Sequence, residues 1–237
     1  MHEPSLVTYF LHMLLKKFGV SEAVLQTYLP DHVVMVLFLV ALSAIALPLI
    51  RRRFKVYKPG GFQQILELTV EGIRGLLRDI IGHKADEHLV LLGTFGIFIF
   101  MMNFSGMVPG LGLATSSLWV TVPLALISFV YYNYHGVKTQ GVGNYLKHFC
   151  GPIILLAPLM FPIEIISHCA RPLSLSVRLF GNMFGEHQVS GVFMGLVPAL
   201  VPIPVMVIGL FAIVLQAFIF MLLSAVYVGG AIEVEDH

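Results

Sequence analysis

From Val33 to Ile50 the chain reads VVMVLFLVALSAIALPLI, eighteen residues without a charged side chain. At about 1.5 Å of rise per residue, such a stretch crosses most of a hydrocarbon core about 30 Å thick, and it predicts a first membrane span. RRRFKVYK follows at once. A basic cluster beside a span marks the cytoplasmic side, which puts the N-terminus outside. Lys16 and Lys17 would then be external, so the orientation rests on the denser cluster at Arg51 to Lys58. Between Phe62 and Ile81 the pattern becomes amphipathic. Phe62, Ile65, Leu66, Ile73, Leu76, Leu77 and Ile80 recur at helical spacing, while Glu67, Glu71, Arg74 and Arg78 form a polar side. This predicts a helix lying on the cytoplasmic surface.

Leu89 to Tyr134 contains no Asp, Glu, Lys or Arg, and its middle, GMVPGLGLATSS, predicts an external turn between two spans. HGVKTQGVGNYLKH then returns the chain to the cytoplasm, where Lys138 and Lys147 agree with the orientation. Beyond it, apolar sequence carries Glu164, Arg171, Arg178 and Glu186 before a second charge-free run reaches Ile232. Pro198, Pro202 and Pro204 divide that run into a turn and a final span, leaving the tail EVEDH inside. The expected architecture is all-α and polytopic, with about five spanning helices plus amphipathic interfacial helices. Residues 1–237 form a single integral membrane domain with no internal repeat. Within it, residues 1–30 are an N-terminal interfacial segment and residues 151–232 a helical hairpin.

Composition agrees with that pattern. Of 237 residues, 57% are hydrophobic and 11% charged, a balance that water-soluble domains do not show. The net charge of +1 offers no basic face for nucleic acid. Cys150 and Cys169, without CxxC or Cys/His spacing, are expected to be packing residues rather than a disulfide or a metal site. The first thirty residues open acidic and carry their lysines in the middle, unlike a secretory signal, so they are expected to be retained as an interfacial helix.

The charges between Glu164 and Glu186 need a reason to be in a membrane, because each costs roughly 2.5 to 3.5 kcal/mol at the centre of a spanning helix. At 100° per residue, counted from Glu164, Arg171 falls at about −20°, Arg178 at about −40°, Asn182 at about 0°, and His168 and Glu186 at about +40°. They form one stripe. Glu164 to Arg178 spans about 21 Å and Arg178 to Glu186 about 12 Å, too far for direct pairing along one helix, and Glu164 reaches Arg171 only by stretching. An arginine keeps its proton in a protein, so Arg178 is a permanent cation that attracts a mobile carboxylate and repels a free proton. Titratable groups on either side of it suit two aqueous half-channels separated by a fixed barrier.

Gln216, in FAIVLQAFIFMLLSAVY, reads as interhelical glue or as a pathway residue, depending on what it faces. Asn103 and Asn144 carry the same two readings, with the structural role favoured. The chain has no GxxxxGK[ST], HExxH or GxSxG, so the usual parts for phosphate cradling, zinc hydrolysis and serine nucleophilicity are missing.

SLSVRLFGNMFGE, followed some thirty residues later by LQAFIFMLLSAVY, resembles subunit a of the membrane sector of F-type rotary ATP synthases. FMMNFSGMVPG and the five-span layout extend the likeness over most of the chain. The resemblance implies a non-catalytic stator subunit that faces a rotating ring of c subunits, each with a buried carboxylate. It also implies a long, tilted last hairpin against that ring, contacts with peripheral-stalk b subunits and the rest of the complex, and a bacterial inner membrane location with the C-terminus inside.

By motif position, Arg178 matches the essential stator charge, Glu164 a carboxylate of the cytoplasmic half-channel, and Glu186 one of the external half-channel. Ser174 and Asn182 match polar residues lining the same helix, and Gln216 matches the glutamine that faces the arginine. His168 and His187 join the expected proton path. One position departs from the family: some members carry a histidine where Gly209 stands, and His187, beside Glu186, is a substitute imidazole. No cofactor or metal is implied. A sodium-translocating version of the same subunit and a passive assembly scaffold remain the alternatives.

Overall fold

In hydrocarbon, backbone amides must be satisfied within the protein, and the chain meets that demand with helices. The computed structural model describes residues 5–17, 27–55, 57, 59–108, 110–143, 145, 157–196 and 202–232. Among these residues the helices are α1 (Leu6–Lys17), α2 (Asp31–Arg52), α3 (Gly61–Ile81), α4 (Ala85–Ser105), α5 (Leu118–Gln140), α6 (Ala157–Leu196) and α7 (Pro202–Ile232). Short 3-10 turns occupy Gly82–Lys84 and Ala114–Ser116, and no strand occurs among the described residues. The all-α, polytopic expectation holds. Asn144, Cys150, Lys147, Pro198 and the tail at 233–237 lie outside the described residues.

By length and composition alone, three stretches are apolar enough to cross a membrane: Asp31–Arg52, Gly61–Ser105 and Met206–Ile232. α5 and α6 fall short of that test although they are 23 and 40 residues long. The reason is chemical: the second half of α5 carries tyrosines, Asn133 and His135, and α6 carries the charged stripe. α6 would extend about 60 Å and α7, with 31 residues, about 46 Å, so both exceed the hydrocarbon core and suit an inclined pair rather than two upright spans.

α3 and α4 are nearly continuous, and Gly82, at φ +76°, supplies the left-handed residue at which the chain changes direction. Across that turn Asp86 accepts from Arg74 at 2.6 and 2.8 Å and from Arg78 at 3.0 Å. α3 turns Leu77 fully inward while Phe62, Ile65 and Leu68 stay exposed, as an interfacial helix requires.

The core lies where α4, α5 and α6 meet α7. Leu92, Phe95, Ile99 and Met102 of α4 pack with Phe220 and Met221 of α7, and Leu175, Leu179 and Met183 of α6 close the same cluster. Phe95 and Phe220 meet edge to face with centroids 5.6 Å apart. Ser128 of α5 donates to Ser224 of α7 at 2.8 Å inside the bundle. Small residues permit these approaches: a methyl at Gly229 would stand 3.2 Å from the Ile80 carbonyl of α3. Cys169, expected to pack, is instead exposed on α6.

α1 is fastened at the opposite end of the bundle from Arg51. One oxygen of Asp31, Oδ1, accepts from the Ser5 amide at 3.0 Å, the Ser5 hydroxyl at 2.6 Å and the Thr8 hydroxyl at 2.6 Å. The Leu6 amide donates to the carbonyl of Gly110 in the α4–α5 loop at 2.8 Å. Leu6, Tyr9, Phe10 and Met13 remain exposed along the helix. Because hydrogen bonds to a charged acceptor contribute about 1.5–3 kcal/mol each, Asp31→Ala is expected to speed amide exchange across residues 6–17 at least about tenfold while leaving α7 protected. Hydrogen–deuterium exchange of the reconstituted protein measures both.

Candidate ion pathway along α6

α6 separates its faces by helical period. Leu175, Ser176, Leu179 and Met183 are buried against the bundle, whereas Ser174, Arg178 and Asn182, four residues apart, are exposed on the other side. Arg178 makes no salt bridge among the described residues. The guanidinium of this mid-helix arginine therefore faces away from its own chain, toward whatever covers that face of α6.

Behind it, Asn182 donates from Nδ2 to Oε1 of Gln216 on α7 at 2.7 Å. Gln216 is 2% exposed, and its Nε2 has no partner. A buried donor left open is costly as a purely structural choice. The interhelical contact expected of Gln216 is present, and it joins α7 to the arginine face.

Toward the α4–α5 loop, Glu186 and His187 line one cavity of about 180 Å³ together with Asn103, Met107, Met183 and Ser190. Adjacent helical residues point about 100° apart, yet the Glu186 and His187 side chains border the same space. A side chain at Gly209 would collide with Oε1 of Glu186, so the carboxylate occupies the room that a larger residue would take. Asn103, expected to be structural, has a double character. Its Oδ1 accepts from Thr115 at 2.7 Å, but its fully buried Nδ2 has no partner, and Thr121 Oγ1 is likewise open. The open Asn103 amide beside a cavity large enough for several waters, and bordered by Glu186, His187 and Ser190, suits a hydrated space.

Near the other end, Arg171 reaches Glu164 only at 4.0 Å, the weak pairing that two turns of helix imply. It also sits over the Tyr227 ring of α7, 5.3 Å from the centroid. His168 meets α5. The amide of Asn133 donates to the Phe129 carbonyl at 2.7 Å, so its Oδ1 is left as acceptor. That oxygen takes the Tyr145 hydroxyl at 2.7 Å and faces Nε2 of His168 at 2.8 Å, which requires the Nε2 nitrogen to carry a hydrogen. The Tyr132 hydroxyl lies 3.4 Å from the same nitrogen.

The predicted residues thus fall into three groups: Ser174, Arg178, Asn182 and Gln216 at the centre, Glu186 and His187 at one cavity, and Glu164 and His168 with Arg171 toward the other end. Asn133, Tyr145 and Tyr227 join the last group without having been singled out. The signal for Asn133 was its place as an amide within the apolar run of α5, but its partner depends on the α5–α6 packing. Among the described residues, no three His, Cys, Asp or Glu side chains are grouped to hold a metal ion.

A family model for the ATP synthase A chain matches residues 32–229. The chain is 46% identical over 200 residues to ATP synthase subunit a of Campylobacter jejuni subsp. jejuni serotype O:6, covering 84% of this chain and 88% of that one. It is 39% identical to ATP synthase subunit a 3 of Pelobacter propionicus over 237 residues, the whole of both chains. It is 44% identical to ATP synthase subunit a of a Nitratiruptor species over 203 residues, 85% of this chain and 89% of that one. With the family match spanning most of an all-helical membrane chain, this protein belongs to the ATP synthase subunit a family.

Proposed function

We propose that this chain is the non-catalytic, proton-translocating stator subunit of an F-type ATP synthase in a bacterial inner membrane, with its N-terminus outside and its C-terminus inside. The observation that carries the proposal is Arg178, exposed on α6 without an ion pair among the described residues and flanked on its own face by Ser174 and Asn182. A permanent cation in a span needs a partner, and a ring of c subunits carrying membrane-embedded carboxylates supplies one. Peripheral-stalk b subunits and the rest of the complex complete the assembly.

In this mechanism a proton enters through the Glu186 cavity, passes toward Asn182 and Gln216, and neutralises a ring carboxylate. The neutral site moves into lipid and travels with the ring. On the far side the carboxylate loses its proton past His168 and Glu164, and Arg178 attracts the anion while blocking a direct proton leak. Gln216 and Asn182 hold the polar link between α6 and α7 beside the arginine. Each charge crossing the membrane contributes about 2.3 kcal/mol per 100 mV, so several must be summed for each ATP made elsewhere in the complex.

Arg178→Ala and Arg178→Lys are both expected to abolish ATP-driven proton pumping in sodium-free inverted vesicles with assembly unchanged, because a lysine lacks the planar fork. Normal pumping by the alanine variant would overturn the mechanism, tolerance of lysine alone would favour a scaffold, and pumping that requires sodium would change the ion. Gln216→Leu removes one hydrogen bond, accepted from Asn182, and a donor that is already unpaired, so stability in thermal unfolding should fall by about 1 kcal/mol, while pumping falls severalfold or more. Equal losses of stability and flux would make Gln216 structural only. Gly209→Ala should displace the Glu186 carboxylate and slow pumping, whereas Gly143→Ala, with open space around its Cβ, should not; a flux comparison at matched expression decides it.

A further inference from the structure

Where α2 ends and the chain turns toward α3, a cleft of about 710 Å³ opens between the two helices. This is within the size range of small-molecule sites. Ala46, Leu49 and Ile50 of α2 and Arg53, which caps it, line the cleft, so one groove runs from apolar side chains to a cation. Arg52 adds a second guanidinium to the rim, and Phe62 of α3 lies on the opposite wall.

The wall is built rather than incidental. Gln63, 9% exposed, accepts from the Lys55 amide and donates to the Lys55 carbonyl, both at 3.0 Å, which clamps the connection between the helices. The Gln63 side-chain Nε2 also donates to Glu67 at 2.7 Å. Neither Arg52 nor Arg53 forms a salt bridge among the described residues.

An occupant must be apolar below and anionic above, at the depth where a spanning helix meets an interfacial one. A phospholipid has that shape. The carbonyl end of α2 by itself disfavours an anion, so binding depends on the two guanidiniums, whose forked donors match phosphate oxygens. We propose that this cleft binds one anionic phospholipid, its phosphate between Arg52 and Arg53 and an acyl chain along Ala46, Leu49 and Ile50. The cleft shares no lining residue with the Glu186 cavity, and the proposal is independent of the ion mechanism.

The test is native mass spectrometry of the purified, assembled complex titrated with phosphatidylglycerol or phosphatidylcholine. Wild type should retain phosphatidylglycerol selectively, and Arg52→Gln/Arg53→Gln should weaken that retention about thirtyfold, near fivefold for each lost charge, without changing phosphatidylcholine. Arg51→Gln, on the same turn but outside the lining, should bind as wild type does. Equal phosphatidylglycerol retention by the double variant overturns the proposal. So does an equal loss in Arg51→Gln, which would mark diffuse surface attraction, or a wild-type complex with no preference for the anionic lipid, as expected if another subunit covers the cleft.

Discussion

A guanidinium cannot give up its charge, and a bilayer core cannot solvate it. Arg178 forces that conflict on the whole of α6: the helix must keep one face dry and apolar for its own bundle and leave the other to a polar or charged neighbour. The division is visible residue by residue. Leu175, Leu179 and Met183 enter the core, while Ser174, Arg178 and Asn182 remain outside it. A core packed by Phe95, Phe220 and Met221 backs the buried face of the helix.

The polar groups behind that face are few and follow a pattern. Some are fully engaged, such as Ser128 with Ser224, and act as interhelical links. Others keep one atom open in a buried setting, as do Gln216, Asn103 and Thr121. Buried polar atoms without partners are rare in proteins, and where they border a cavity they mark places where water completes the coordination. The cavity at Glu186 and the open amide of Asn103 belong together in this sense.

Gly209 illustrates how a missing side chain becomes part of a site. Its position in the final span carries no chemistry of its own. In three dimensions the vacant volume is filled by the Glu186 carboxylate arriving from α6. The carboxylate sits close to the α7 backbone as a result.

Hydropathy and helical period were enough to establish an all-helical membrane chain, the amphipathic character of α3, the loop at 106–117 and the charged stripe of α6, because these depend on local spacing and on the cost of placing charge in lipid. The same reasoning anticipated the poor reach of Arg171 to Glu164, since both lie on one helix of known rise. It did not find Asn133 and Tyr145 beside His168, the shared cavity of Glu186 and His187 with Asn103, or the cleft at Arg52 and Arg53. Each of these depends on which helix lies next to which and at what depth. Such neighbours are set by close packing of shapes between distant segments, and only the tertiary structure decides them.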